Sequence, residues 1–104
     1  MAIRRACSYE ATIKTPVAPS EYSAVLVTFS QDGNNLINKE IGDAGLTLDT
    51  DSVVVHLSQE ETLLFQPDVP AFLQIRCYKS TYEAPGSKVW AIEVFDSLNL
   101  EVLP

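Results

Sequence analysis

The stretch SVVVHLSQEETLLF, residues 52–65, decides the fold of this chain. Its first six residues, Ser52–Leu57, alternate with a period of two, which is typical of a β-strand that buries one face. The residues that follow have the composition and spacing of a helix start rather than of a continuing strand. The stretch therefore predicts a strand that turns directly into a short helix.

The helix start carries a specific capping signal. Ser58 and Glu61 have the S-x-x-E spacing of a capping box, in which each side chain accepts a hydrogen bond from the backbone N–H of the other residue. Glu60 and Glu61 also lie in the first turn, where the helix dipole favours negative charge. One short helical turn is predicted near residues 59–64, ending before Pro67, and Ser58 and Glu61 are its structural cap.

Period-two alternation predicts strands before this stretch. Residues 22–31 are apolar on both faces at their centre, which indicates a central strand, and Tyr9–Lys14 alternates more weakly. Asp32 and Gly33 follow the central strand, and a D-G step between two strand-like runs is a strong hairpin signal. Residues 36–41 are therefore expected to pair back antiparallel to the central strand.

Three more strands are predicted after the helical turn. Ala71–Tyr78 and Val89–Phe95 both alternate, and the segment between them, residues 80–87, contains a Pro-Gly step typical of a hairpin loop. Residues 98–103 keep apolar residues in register and are predicted as a last strand. The side chains expected in the core are Val25, Val27, Phe29, Val53, Val55, Leu57, Leu73, Ile75, Trp90 and Ile92.

About six or seven short strands with a single helical turn predict an all-β fold, an antiparallel β-sandwich of immunoglobulin-like type. The Cys–Trp–Cys spacing of antibody domains is absent, so the prediction concerns the architecture alone. A chain of 104 residues fits one domain, residues 1–104. Residues 1–8 are expected to form a loosely ordered N-terminal segment of that domain.

Composition restricts the classes of partner and compartment. Seven basic and fourteen acidic residues give a net charge of -7, which repels nucleic-acid phosphates, so DNA and RNA are not expected partners. Arg4 and Arg5 are not followed by the apolar run of a secretion signal, and no apolar stretch is long enough to cross a membrane. Cys7 and Cys77 are expected to be reduced thiols of a cytoplasmic protein.

The candidate chemical groups do not combine into a recognisable site. His56 is the single histidine and lies within a predicted strand, without the short ligand spacings of a zinc site. Asp43, Asp49 and Asp51 form an acidic loop with a D-x-D step, but residues 42–53 lack the further ligands of an EF-hand. Glu60 and Glu61 diverge by about 100° on a helix and do not face one substrate. We expect no catalytic residues, metal site or cofactor, and hence no enzyme.

The predicted strand ends offer candidate partner-binding residues. Arg76 and Tyr78 lie on the semi-exposed face of their strand, and Tyr82 follows in the predicted hairpin loop. Tyr78, Tyr82 and Trp90 could form a sugar-binding platform, because aromatic side chains present an apolar body with a polar tip. The alternative is that Trp90 fills the core while the two tyrosines flank the hairpin. A small-molecule ligand is not expected.

Four stretches together resemble a known family. They are VTFSQDG at residues 27–33, NKE at 38–40, VVVHLSQEETLLF at 53–65 and LQIR at 73–76. The chain resembles a family of small proteins encoded in phages and prophages of Firmicutes, which show a Q-x-G, then an L-T/S-Q-E-E-T-L-x-F block, then a Q-x-R strand. The resemblance extends over residues 9–103.

The resemblance implies a structural role in phage assembly. Such proteins are similar in strand order to the N-terminal β-sandwich domain of phage baseplate upper proteins, which implies a tail or baseplate location and offers no catalytic residues. Partners would be other virion proteins or a second copy, in the host bacterial cytoplasm during assembly and then in the virion. Cys77 and residues 80–87 depart from the family pattern. The alternative is a carbohydrate-binding module that recognises the host surface.

Overall fold

The computed structural model describes residues 2–15, 18–78 and 89–104. This part of the chain forms eight strands, one α-helix and one short 3-10 turn. The strands are β1 Ala2–Arg4, β2 Tyr9–Lys14, β3 Ala24–Gln31, β4 Asn34–Glu40, β5 Leu46–Leu48, β6 Ser52–Leu57, β7 Ala71–Tyr78 and β8 Val89–Phe95; the helix is α1 Gln59–Thr62, and the 3-10 turn is Pro19–Glu21.

The strands form two sheets that enclose one core. The five-stranded sheet has the order β1-β8-β7-β3-β4, and the three-stranded sheet has the order β2-β6-β5. Neighbouring strands are antiparallel, except that β1 runs parallel to β8. The predicted antiparallel β-sandwich is confirmed, with eight strands in place of six or seven.

The β3–β4 hairpin forms at the predicted D-G step. Asp32 and Gly33 both have positive φ, 53° and 78°. Two consecutive residues of positive φ define the type I′ turn, whose twist matches that of the flanking strands, and glycine adopts this φ without steric cost. β4 then pairs antiparallel with β3, with one register shift between Phe29 and Ser30. The predicted pairing is confirmed.

The core contains the predicted alternating residues. All ten expected side chains are buried except Trp90, which is half-buried and packs against the edge of the core. The prediction was therefore wrong in placing Trp90 at the centre. That position is occupied by Phe29, which makes edge-to-face contacts with Tyr9 and Phe65 at centroid distances of 6.4 and 6.1 Å. Such aromatic pairs stabilise a core beyond the area they bury.

The predicted helical corner is present with its cap. The Ser58 Oγ accepts a hydrogen bond from the Glu61 backbone N–H at 3.1 Å, and the Glu61 carboxylate accepts one from the Ser58 N–H at 3.0 Å. After α1 the chain turns so that Leu64 is exposed and Phe65 is 1% exposed. Phe65 is thus the residue of this stretch that closes the end of the sandwich.

A buried glutamine fixes the loop after this corner. Gln31, at the end of β3, is 3% exposed, and its Nε2 donates to the carbonyls of Gln66 and Val69, both at 2.8 Å. Its Oε1 accepts a hydrogen bond from the Gln66 backbone N–H. Buried backbone groups outside a sheet need such partners. Gln31 therefore ties the chain between α1 and β7 to the five-stranded sheet.

The two termini differ from the sequence-based expectation. Residues 1–8 were expected to be loosely ordered, but Ala2–Arg4 forms β1, and Ile3 is fully buried. The predicted strand at residues 98–103 is wrong, because that segment pairs with no strand of the described part of the chain and Leu98 is fully exposed. The predicted hairpin loop at residues 80–87 lies outside the described residues.

Candidate interaction surface

The outer face of the five-stranded sheet carries exposed apolar side chains. We call this surface the broad face; it is defined by Leu26, Phe72, Arg76, Tyr78, Val89 and Phe95. Phe72, Val89 and Phe95 are 42%, 51% and 39% exposed. Each lies at an alternate position of β7 or β8, beside a strand residue that faces the core: Leu73 for Phe72, Trp90 for Val89 and Val94 for Phe95. Strand alternation therefore directs these apolar groups outward.

Strand register brings the side chains of the broad face together. Phe72 lies opposite Ser30 on β3 and opposite Ala91 on β8. Arg76 lies opposite Leu26, and Tyr78 lies opposite Ala24 on the same strand β3. Arg76 and Tyr78, the predicted partner-binding residues, thus share this surface with Phe72. Tyr82, the third predicted residue, lies outside the described residues.

Charges on the broad face cancel, although the whole chain is strongly acidic. The charged side chains directed outward from its strands are those of Arg4, Arg76, Glu40 and Glu93. The Arg4 guanidinium lies 5.4 Å from the centre of the Phe95 ring, a cation–π contact, and donates a hydrogen bond to the Asp96 carbonyl. A surface with two positive and two negative groups carries no net repulsion toward an acidic partner.

Two shallow grooves run along the edges of the broad face. One, of about 250 Å³, lies between β3 and β4. The other, of about 230 Å³, lies where residues 68–70 approach the end of β8. The side chains lining them include Leu26 and Glu40 in the first and Phe95 in the second. The surface is therefore not flat and can accept protruding side chains of a partner.

The outer face of the three-stranded sheet is different in character. We call it the narrow face; its exposed side chains include Glu10, Thr12, Lys14 and His56. Glu10 and His56 lie directly opposite each other, with Oε2 and Nδ1 3.4 Å apart. Its apolar contribution is the half-buried Val54. The narrow face has the composition of an ordinary solvated surface.

The groups considered for catalysis or metal binding lie apart or serve the fold. His56 and Glu10 are 46% and 60% exposed, on an open strand surface. The Asp43 carboxylate accepts a hydrogen bond from the Glu40 N–H, and that of Asp49 accepts one from the Thr50 N–H, so both stabilise turns. Within residues 2–15, 18–78 and 89–104, no three metal-ligating side chains cluster.

Tyr78 and Trp90, two of the three aromatic residues considered as a sugar platform, do not share a surface. Trp90 lies opposite Leu73, a fully buried residue, and packs against the core. Tyr78 occupies the other side of the same sheet. Because the two rings are on opposite sides of the sheet, they cannot stack on one sugar. Any platform that includes Tyr82 lies outside the described residues.

The two cysteines are free thiols. Cys7 is exposed in the turn between β1 and β2, whereas Cys77 is half-buried in β7. Burial raises the pKa of the Cys77 thiol. A raised pKa lowers the fraction of reactive thiolate at neutral pH.

No helix in the described part of the chain is long and apolar enough to span a membrane.

An ion pair joins the helical corner to β4. The Lys39 Nζ lies 2.6 Å from Glu61 Oε2. Burial on its own raises the pKa of Glu61, but the hydrogen bonds and the charge of Lys39, together with the hydrogen bonds of Ser58, outweigh this effect and lower the pKa from 4.5. Glu61 thus has two roles, in the capping box and in the contact with Lys39.

This lowered pKa predicts a loss of stability in acid. The folded protein holds Glu61 ionised more firmly than the unfolded chain does, so its contribution is complete above about pH 4.5 and is lost as the pH falls through the folded value. We expect Glu61→Gln to lower the free energy of unfolding more at neutral pH than in acid. Urea titrations at about pH 7 and about pH 3 measure both differences.

The control for this prediction is Glu101→Gln, which changes an exposed carboxylate of the C-terminal segment. The same pair of titrations should give a free energy of unfolding close to that of the wild type at both pH values. An effect of Glu61→Gln that is equal at neutral and acidic pH would contradict a stabilising role for the ionised form of Glu61.

Comparison with known structures identifies the fold. The chain is similar to the immunoglobulin-like domain of mouse leukocyte-associated immunoglobulin-like receptor 1, solved as a strand-swapped dimer. The TM-score is 0.53 at 10% identity, over 91% of this chain and 86% of that chain. A second similar structure is the V domain of amphioxus IgVJ-C2, with a TM-score of 0.39 at 8% identity, over 91% and 99%. The similarity to the first of these structures identifies the fold as an immunoglobulin-like sandwich.

Comparison of the sequence with protein families and curated proteins finds no match. The signal that could have identified the broad face from sequence was strand alternation, first in β7, where Phe72, Arg76 and Tyr78 alternate with core residues. Val89 and Phe95 alternate in the same way on β8. The place of Val89 beside Phe72 depends on the register between β7 and β8, and the place of Phe95 beside Arg4 depends on the pairing of β8 with β1. Alternation does not specify either pairing.

Proposed function

We propose that this chain is a non-catalytic interaction module that binds a protein partner through the broad face. The observation that carries the proposal is the contrast between the two outer faces of the sandwich. The narrow face is polar, whereas the broad face combines exposed Phe72, Val89 and Phe95 with balanced charges. Exposed aromatic residues with few uncompensated charges are typical of the centre of a protein interface.

The broad face is large enough for a specific complex. The five strands, of 3, 7, 8, 8 and 7 residues, lie about 4.8 Å apart and rise about 3.3 Å per residue, so they cover roughly 500 Å². Specific interfaces bury about 800 Å² of accessible surface on each partner. Since accessible surface exceeds the projected area of a pleated sheet, one face of this size suffices.

The proposed setting is a phage or prophage particle, in the tail or baseplate region. It is supported by the block at residues 58–65 and the flanking stretches that resemble phage-encoded proteins. The partner would then be another virion protein, met in the host bacterial cytoplasm during assembly. The proposal that the module is non-catalytic is supported by the exposed position of His56 and by the hydrogen bonds that Asp43 and Asp49 accept within turns.

Charged substitutions on the broad face test the proposal. Phe72→Glu and Val89→Glu place a carboxylate in the apolar part of the surface, and we expect each to lower incorporation into purified particles at least tenfold, since an unpaired buried charge is costly. Each tagged variant is expressed in a host that produces particles, and quantitative mass spectrometry of the purified particles measures its incorporation. Thermal unfolding should change little, because both side chains are exposed.

The matched control is Thr47→Glu, which adds the same charge at an exposed strand position of the narrow face, opposite Val54 and away from β2. It should leave incorporation at the level of the unsubstituted chain. A result in which Thr47→Glu abolishes incorporation while Phe72→Glu does not would overturn the assignment of the broad face. A chain that is missing from particles altogether would overturn the phage role.

A further inference from the structure

The three-stranded sheet has an open edge at β2. In the order β2-β6-β5, β2 pairs with β6 through all six residues, from Tyr9 to Lys14, without a register shift. Its other side has no strand partner in the described part of the chain. An edge strand presents backbone N–H and C=O groups that can pair with an added strand. β4 is also an edge, but its pairing contains a register shift, and such irregularity hinders strand addition.

The C-terminal segment has the pattern of a strand without its pairing. Residues 98–103 read LNLEVL, with apolar Leu98, Leu100 and Val102 at alternate positions. These three side chains are 110%, 38% and 39% exposed. Period-two alternation is typical of a strand that buries one face. The segment therefore exposes an apolar row that would be buried if it joined the side of a sheet.

We propose that residues 98–103 of one copy form an added strand along the β2 edge of a second copy. Both elements are six residues long, so one covers the other completely. The donor row of Leu98, Leu100 and Val102 would extend the inward-facing row of β2, in which Ala11 and Ile13 are buried. Backbone hydrogen bonds would supply affinity and the apolar row specificity, as in other cases of strand addition.

Within one copy the donor segment does not pair with β2. The end of the segment is held at the helical corner, where the Gln59 side chain accepts a hydrogen bond from the Leu103 N–H at 2.8 Å and donates one to its carbonyl at 3.2 Å. Nearer its start, the Glu101 N–H donates to the Asn99 side chain. These bonds are exposed and few, so a continuous ladder with a second copy can replace them.

The charges indicate a parallel arrangement. With the apolar rows aligned, a parallel segment places Glu101 opposite Thr12, with Glu10 and Lys14 at the two diagonal positions, where their charges offset each other. An antiparallel segment with Leu98 opposite Ile13 places Glu101 directly opposite Glu10. Like charges directly opposite each other on a sheet are destabilising, and opposite charges on neighbouring positions are favourable. Donation that the second copy returns closes a two-fold symmetric dimer, whereas donation passed on to a third copy builds a ring or a filament.

Sedimentation velocity of the full chain over a rising concentration series tests the self-association. We expect species larger than a monomer to form, and Leu100→Ser to weaken their formation at least tenfold. Asn99→Ser, the same kind of change on the opposite face of the segment, should have less than a threefold effect. Both positions are exposed in the monomer, so the variants should fold. A wild-type chain that remains monomeric throughout would overturn the proposal.

A peptide experiment tests the contact itself. The peptide SLNLEVLP, residues 97–104, is titrated by calorimetry onto the full-length Leu100→Ser protein, whose β2 edge is intact. Two N-methylated versions follow, one methylated at residues 98, 100 and 102, the other at 99, 101 and 103. Because alternate amides of an added strand face the edge, we expect one version to bind at least tenfold more weakly than the other. Equal binding of the two versions, or none by the unmodified peptide, would refute strand addition.

The test of strand addition can be distinguished from the test of binding at the broad face. Phe72→Glu should leave the affinity for the peptide unchanged, because Phe72 belongs to the other sheet. If Phe72→Glu removes the self-association and Leu100→Ser does not, then the copies meet through the broad face, and the strand-addition proposal fails while the proposed function stands.

Discussion

Phe29→Ala is expected to lower the free energy of unfolding by about 3 to 5 kcal/mol, the range for phenylalanine truncation in a packed core. The Phe29 ring is fully buried, and it contacts Tyr9 of the other sheet and Phe65 of the helical corner. Truncation would open a cavity where three parts of the structure meet. Such a cavity cannot collapse without moving both sheets, which places the effect toward the upper end.

Urea unfolding followed by the fluorescence of Trp90 measures this loss, since the chain contains a single tryptophan. The control is Phe72→Ala, the same chemical change at an exposed position of the neighbouring strand. It should change the free energy of unfolding by less than about 1 kcal/mol. Equal effects of the two substitutions would show that the ring at position 29 is not central to the core.

Gln31→Leu is the second large effect that we expect, a loss of about 2 to 4 kcal/mol. Leucine has a similar volume but cannot bond the Gln66 N–H or the carbonyls of Gln66 and Val69. A buried backbone group that loses its partner costs about 1 to 3 kcal/mol, and water entering the loop recovers part of that. The loss should be concentrated in residues 66–69.

Hydrogen exchange distinguishes this mechanism from a general loosening of the core. In the Gln31→Leu variant the Gln66 amide should exchange at least tenfold faster, while the amides of β6 should change only as far as the global stability does. Gln74→Leu, on the outer side of the neighbouring strand, is the matched control and should leave the Gln66 amide protected. Unchanged exchange at Gln66 in Gln31→Leu would contradict the role of the glutamine.

Features with a local cause could be predicted from the sequence. The capping box needs only Ser58 and Glu61 at the right spacing, and the type I′ hairpin needs only Asp32 and Gly33 between two strands. Alternation likewise specified which residues of β3, β6 and β7 face the core. In each case the interacting groups are a few residues apart, so the sequence contains the whole interaction.

Features with a distant cause could not be predicted. β1 has three residues, too few for a periodic pattern, and it exists because β8 pairs with it some ninety residues later in the chain. In the sequence Gln31 is a polar residue at the end of a predicted strand, and its role depends on hydrogen bonds to the loop at residues 66–69, which is distant in the chain. Residues 98–103 have the pattern of a strand, but a strand requires a partner, and the single chain does not provide one.

The candidate surface was predictable only in part. Alternation within β7 put Arg76 and Tyr78 on a semi-exposed face, which the structure reproduces. The extent of the broad face can be predicted only when the pairing of β7 with β8 and β3 is known, because this pairing brings Val89 and Leu26 into the same surface. The polar character of the opposite face, which makes the broad face distinctive, became visible only when the two sheets were known.

Hydroxyl-radical footprinting of the chain, free and in purified particles, tests the central claim most directly. The measurement reports the oxidation of individual side chains, and Phe72, Tyr78 and Phe95 are exposed enough to react in the free protein. We expect their oxidation to fall at least fivefold in particles, while that of His56 on the narrow face stays constant. Protection of His56 with unchanged oxidation of Phe72 and Phe95 would contradict a partner bound at the broad face.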